Sequence, residues 1–352
     1  MRPMLWDLFC RVIDNFGDIG VCWRLAADLG ARGERVRLWV DDASALRWMA
    51  PSGSAGVELR AWPEDRVDIE PGDIVIEAFG CELPDAFVRR MAGKAAPPLW
   101  VNLEYLSAED FVERSHRLSS PQVSGPSVGL RKYFFYPGFT PRTGGLIRET
   151  DLLARQHAFD PPAWLAAHGA AAQPGEQVIS LFCYEQAALP ALLDQLAQQP
   201  TLLLATTGHA ARQITALLGA TLRRGALRTV ELPALTQPDY DHLLWAADLN
   251  FVRGEDSFVR AQWAGKPFVW QIYPQHDDVH LAKLDAFLDR FAATPELRAF
   301  WHAWNARNAD QVRLPPLPAV TPWRQQCGIW RDSLLAQPDL ATQLIGFAAE
   351  TR

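Results

Sequence analysis

Leu5-Trp6-Asp7-Leu8-Phe9-Cys10-Arg11-Val12-Ile13 runs directly into Asp14-Asn15-Phe16-Gly17-Asp18-Ile19-Gly20. The first part reads as a strand, the second as a glycine-containing loop, and Val21–Leu29 turns to a helical pattern. Strand, loop and helix in that order open a parallel α/β unit, in which ligands bind outside the carboxyl ends of the strands. Two acids beside two glycines at that position therefore carry functional interest.

Downstream the same rhythm continues. Val36–Val40, Asp73–Phe79 and Pro98–Leu103 read as buried strands of a sheet covered on both faces. It breaks over about 115–145, rich in Ser, Pro and Gly, where Arg131-Lys132-Tyr133-Phe134-Phe135-Tyr136 reads equally as a substrate-facing loop or an aromatic plug. It then restarts with strands at Gln177–Phe182, Thr201–Ala205, Leu227–Leu232, Asp248–Val252 and Pro267–Trp270. Helices over Pro190–Gln198, Ala210–Leu218 and Asp241–Ala247 separate them. The expected fold is α/β with GT-B architecture: two Rossmann-like lobes facing a central cleft. The lobes are expected over 1–170 and 171–335, with a last helix (about 336–352, capped by Asp339) packing back on the first lobe.

Composition narrows the function. The chain has 352 residues, 49% hydrophobic and 21% charged, enough for two packed cores. A net charge of −7 argues against a wide grip on a nucleic-acid backbone. Five scattered cysteines with no C-x-x-C pair suit reduced thiols. The N-terminal run, broken by Asp7 and Arg11, lacks the features of a signal peptide, and no stretch reaches a bilayer's span, so a cytoplasmic protein is expected.

The N-terminal loop is not a G-x-G-x-x-G fingerprint. Two carboxylates at a helix start would repel a diphosphate and instead suit a cationic or hydroxyl-bearing acceptor, or a general base. The competing reading is that Asp18 caps the helix and Asp14 satisfies loop amides. In the second half, Asn250-Phe251-Val252-Arg253-Gly254-Glu255-Asp256-Ser257 ends a strand and begins a helix. Free amides of Asp256 and Ser257, the Arg253 guanidinium and the Ser257 hydroxyl form a plausible phosphate site. A capped helix with an Arg253–Glu255 ion pair is the alternative. Tyr184, after the first strand of this half, and Gln237 with Tyr240, at a helix start, belong to the same end of that sheet. Gln275-His276-Asp277-Asp278-Val279-His280 has metal-ligating residue types, but its Pro-containing turn and the lack of a third ligand favour helix capping.

Two stretches, Trp6 through Gly20 and Phe251 through Gln271 with its Arg-Gly-Glu-Asp-Ser-Phe core, resemble the bacterial elongation factor P arginine rhamnosyltransferases, over the full length of the chain. That resemblance implies an inverting, metal-independent transfer of rhamnose from dTDP-β-L-rhamnose to an arginine of elongation factor P, in support of polyproline translation. It implies catalytic roles for Asp14, Asp18 and Glu255. It places Phe16, Gly17, Tyr184, Gln237, Tyr240, Arg253, Glu255, Asp256 and Ser257 on the nucleotide sugar, with Tyr240 at the base-stacking position. The first lobe would hold the acceptor protein; no cofactor, nucleic acid or membrane is implied. A different nucleotide-sugar enzyme and a non-catalytic nucleotide-binding protein are the rival readings.

Overall fold

The computed structural model describes residues 2–13, 16–62, 69–273, 279–307 and 313–351. The chain divides into two units, 1–150 with 336–352 and 151–335.

The first unit contains β1 (Leu5–Cys10), α1 (Gly17–Ala31), β2 (Arg35–Val40), α2 (Leu46–Met49), β3 (Val57–Ala61) and β4 (Ile74–Ala78). It continues with α3 (Asp85–Ala92), β5 (Leu99–Leu103), α4 (Phe111–Ser115), β6 (Ser119–Pro121) and β7 (Arg131–Phe135). The sheet order is β3-β2-β1-β4-β5-β7-β6, with only β6 antiparallel. Strands β1, β4 and β5 are almost wholly buried, which explains their largely apolar character, with one buried polar residue in each: Asp7, Glu77 and Asn102.

The second unit contains α5 (Leu152–Ala158), α6 (Pro161–Ala167), β8 (Gln177–Leu181), α7 (Leu189–Leu196), β9 (Thr201–Ala205) and α8 (His209–Leu218). Next come β10 (Arg223–Arg224), β11 (Leu227–Glu231), α9 (Gln237–Ala246), β12 (Leu249–Arg253), α10 (Asp256–Ala264) and β13 (Phe268–Gln271). Helices α11 (Val279–Arg290), α12 (Pro295–Asn305) and α13 (Val320–Leu335) complete it, and α14 (Leu340–Thr351) belongs to the first unit. The sheet order is β10-β11-β9-β8-β12-β13, parallel except for β10.

Helix α14 is tied to the first unit by burial and charge. Leu340, Leu344 and Phe347 join the core formed by β1 and α1. Asp339 accepts from the Thr342 amide at 2.9 Å and pairs with Arg32 at 2.8 Å.

Two expectations are corrected, and one strand has no counterpart among them. Residues 151–170 belong to the second unit, not the first: Trp164 and Leu165 of α6 bury against Val178, Leu202 and Leu243. The break over 115–145 is partly regular. Arg131–Phe135 forms β7 beside β5, with β6 folding back on it as a hairpin, and Phe135 reaches the core. Arg131 is exposed and Phe135 buried, which masks the strand's periodicity. Strand β3 carried no reading at all. It is an edge strand with mixed exposure, and Leu59 remains 45% exposed, so it lacks the apolar signal of its neighbours.

Candidate active site

In each sheet the chain leaves one central strand to the left and its neighbour to the right. The switch falls between β1 and β4 in the first unit and between β8 and β12 in the second. Ligands collect at such points because the loops diverge and leave a crevice at the strand ends. The two motifs singled out in the sequence follow β1 and β12.

In the first unit, α1 begins at Gly17, earlier than the periodicity indicated. Phe16 occupies the N-cap position without side-chain capping, and Asp18 lies inside the first turn. The capping reading of Asp18 is therefore wrong: its Oδ2 accepts from the Ile13 amide at 2.9 Å, outside the helix. Its Oδ1 accepts from the Tyr105 hydroxyl at 3.3 Å, and the residue is 3% exposed. A buried carboxylate at a helix N-terminus, held by two donors from different segments, has a fixed orientation. Gly17 and Gly20 lie within α1 and neither has a positive φ, so they supply no special turn. Phe16 is 38% exposed and packs edge-on against Trp48 at 5.1 Å.

Tyr105 escaped the sequence reading. Its ring stacks on Phe79 at 4.3 Å, and Phe79 itself holds a left-handed φ of 57° just after β4. Only the meeting of the β1, β4 and β5 ends brings Tyr105 to Asp18. No motif announces it.

In the second unit, Gly254 turns the chain from β12 into α10 with φ +66°, a region that an L side chain resists. Its carbonyl accepts from the Trp270 indole at 2.7 Å. Glu255 is the N-cap residue and makes no side-chain capping bond, while Asp256 opens the helix. Ser257 is buried, and its hydroxyl accepts from the Arg253 amide at 3.1 Å and donates to the Arg253 carbonyl. That hydroxyl thus ties strand to helix.

Arg253 is 6% exposed, and its guanidinium lies 4.4 Å from the Phe182 ring centroid and 4.2 Å from that of Tyr184. Its Nη1 has no hydrogen-bond partner among the described residues. A buried cation with an unused donor beside a helix N-terminus has the charge and the free N–H to receive an anion. Gln237 is buried at the start of α9, whose N-cap Thr236 accepts from the Asp239 amide at 3.2 Å. Tyr240 is half-buried, edge-on to Phe182 at 5.6 Å, and packs into the apolar cluster with Leu235 and Leu243. Burial pushes its hydroxyl well above the usual phenol range.

Asp14 lies outside the described residues, as do Gln275 to Asp278 of the segment considered for a metal. His280 is buried in α11, and among the described residues no cluster of three or more His, Cys, Asp or Glu could hold an ion. All five cysteines are buried and unpaired, as their spacing indicated. No helix among the described residues is long and apolar enough to cross a membrane.

The profile of a family described as "Elongation-Factor P (EF-P) rhamnosyltransferase EarP" matches residues 6–349. The chain belongs to that family. A protein-arginine rhamnosyltransferase of Pseudomonas aeruginosa is 45% identical, over 98% of this chain and 99% of its own. One from Neisseria meningitidis serogroup B is 38% identical, over 99% and 98%. A solved structure, described as the structural basis for EarP-mediated arginine glycosylation of translation elongation factor EF-P, shares 34% identity. It covers 99% of this chain and 100% of its own, with a TM-score of 0.67. The calicheamicin glycosyltransferase CalG4 is 12% identical with a TM-score of 0.58, a likeness of fold alone. The EarP-family chain is thus a glycosyltransferase with the GT-B architecture expected from its sequence.

Proposed function

We propose that this chain transfers an L-rhamnosyl group from dTDP-β-L-rhamnose to an arginine side chain of elongation factor P, inverting the anomeric carbon. The observation that carries the donor side is the buried Arg253 guanidinium, clasped by two rings with Nη1 unused. It supplies positive charge to a departing diphosphate, together with the N-terminal amides of α10. That charge is the reason for proposing a transfer that needs no metal. Gln237, Tyr240, Glu255 and Asp256 are assigned to the nucleotide sugar, as are Phe16 and Gly17.

On the acceptor side, a guanidinium has a pKa above about 12 and delocalised lone pairs, so it is a poor nucleophile. Asp14 and Asp18 are proposed to hold it, orient one nitrogen toward the anomeric carbon and accept its proton as the C–N bond forms. The C–O bond to the diphosphate breaks, and its electron pair leaves with dTDP. Asp18 is assigned the base and Asp14 the orienting role, because Asp18 is the carboxylate fixed by Ile13 and Tyr105.

The test is intact-mass analysis of elongation factor P incubated with this chain and dTDP-β-L-rhamnose, with and without EDTA. One added deoxyhexose in both arms is expected, with the opposite anomeric configuration by NMR. Hydrolysis of the donor without gain of mass would overturn the acceptor; loss of transfer in EDTA would overturn the metal-free reaction. A configuration that matches the donor would overturn inversion.

A further inference from the structure

The loop that follows β8 is held by glutamine side chains. Tyr184 donates its backbone N–H to Gln271 Oε1 at 2.8 Å, and Gln271 Nε2 donates to the Glu185 carbonyl at 3.2 Å. From the other side, Gln213 Nε2 donates to the Tyr184 carbonyl at 3.0 Å, while its Oε1 accepts from the Gln186 amide at 2.8 Å. Each glutamine uses both ends of its amide, which fixes its orientation and that of the peptide planes it grips. Gln271 is 6% exposed, where an unmet amide is costly.

The register gives this clamp a purpose. Gln271 on β13 is the cross-strand partner of Arg253 on β12, so the two side chains leave the same face of the sheet. Gln271 holds the backbone of Tyr184, and the Tyr184 ring covers the guanidinium of Arg253 at 4.2 Å. Strand β13 thus positions the lid over its neighbour's cation. The Tyr184 ring also meets Tyr273 edge-on at 5.6 Å, so the glutamines hold the backbone of a ring that is packed on two sides. A rigid sandwich keeps Arg253 aimed before an anion arrives, which lowers the ordering cost on binding.

We infer that Gln271 and Gln213 are positioning residues for donor binding, which act by clamping the 184–186 backbone so that Tyr184 stays over Arg253. The inference rests on Arg253 being the donor's anion site. It extends that site to two residues whose amides hold the 184–186 backbone.

The test is a cycle of Gln271→Leu, Tyr184→Ala and the double variant, read by calorimetric dTDP affinity and by donor KM and kcat. Gln271→Leu is expected to weaken dTDP binding and raise donor KM about tenfold, the weight of one to two net hydrogen bonds, with kcat within about threefold. Added to Tyr184→Ala it costs nothing further, because the ring it positions is gone. A 3-fluorotyrosine at 184 gives one sharp 19F resonance in the ligand-free wild type and a shifted or broadened one in Gln271→Leu. Losses that multiply in the double variant, or an unchanged 19F resonance, overturn the proposal. A wild type that does not bind dTDP sinks the donor-site reading and this inference with it. A wild type that binds, beside a Gln271→Leu that binds equally well, sinks the clamp alone. Should Gln271→Leu fail to fold, Gln213→Leu, at a half-buried position, carries the same predictions at about a threefold scale.

Discussion

Replacing Arg253 by Met separates a residue kept for a ligand from one kept for the fold. The side chain is 6% exposed, and Nη1 has no partner among the described residues. Its burial is offset by two aromatic faces at 4.4 and 4.2 Å, each worth about 0.5–2 kcal/mol. Against that stands a buried donor without an acceptor, at a cost of about 1–3 kcal/mol. Met fills the same slot with an apolar chain that packs well on aromatic rings. The two terms nearly cancel, so the ligand-free Arg253→Met protein should unfold within about 1 kcal/mol of the wild type, or above it. Binding should behave in the opposite way. Loss of a charge-assisted contact to a diphosphate costs about 2–4 kcal/mol, so dTDP affinity should fall about 30- to 1000-fold. Denaturant unfolding and titration calorimetry, both on the full chain, read the two effects separately. A dTDP affinity within threefold of wild type, or a ligand-free loss above about 3 kcal/mol, would refute the assignment and make Arg253 a structural pillar.

Two further outcomes follow from the first unit. Asp18→Asn should bind dTDP normally and lose about 100- to 10,000-fold in rhamnosyl transfer, whereas Tyr105→Phe keeps its stack on Phe79 and loses about fivefold; equal turnover of Asp18→Asn and wild type by mass spectrometry would remove Asp18 from the base role. His116, which accepts from the Tyr136 amide at 3.2 Å, is pushed down to about 4 by burial and by Arg117. Its folded pKa lies below its unfolded one, so the unfolded chain binds the proton first and stability is lost as pH falls from 6.5 through about 4. Allowing for the ring's partial exposure, the difference in unfolding free energy between pH 7 and pH 4.5 should shrink by about 2 kcal/mol in His116→Phe; an unchanged difference would count against it.

Much of this was legible in the chain because local chemistry repeats with the fold. Short apolar runs such as Ile74–Ile76 mark strands buried on both faces, and their alternation with helical patterns marks a parallel sheet. The Arg253–Ser257 turn was legible too, since a glycine between a strand and a helix start signals the conformation that Gly254 adopts. Strand β7 was not, because its exposed basic start and buried aromatic end follow no single period. The span 151–170 was assigned to the wrong unit for a related reason. Trp164 is apolar in either setting, and only its contact with Val178 and Leu243 says which core it fills.

Sequence by itself determined the fold class, the family and the two motifs, all carried by neighbours along the chain. Tertiary structure alone decided what those motifs touch. Ile13 lies five residues from Asp18 and Tyr105 eighty-seven, yet both donors meet on its carboxylate. Tyr184 and Gln271 are eighty-seven residues apart, and a shared hydrogen bond sets the ring that covers Arg253. Spacing specifies helices and turns because their bonds are local. The orientation of a buried charge depends on groups that only the closing of the sheet brings within 3 Å or so of one another.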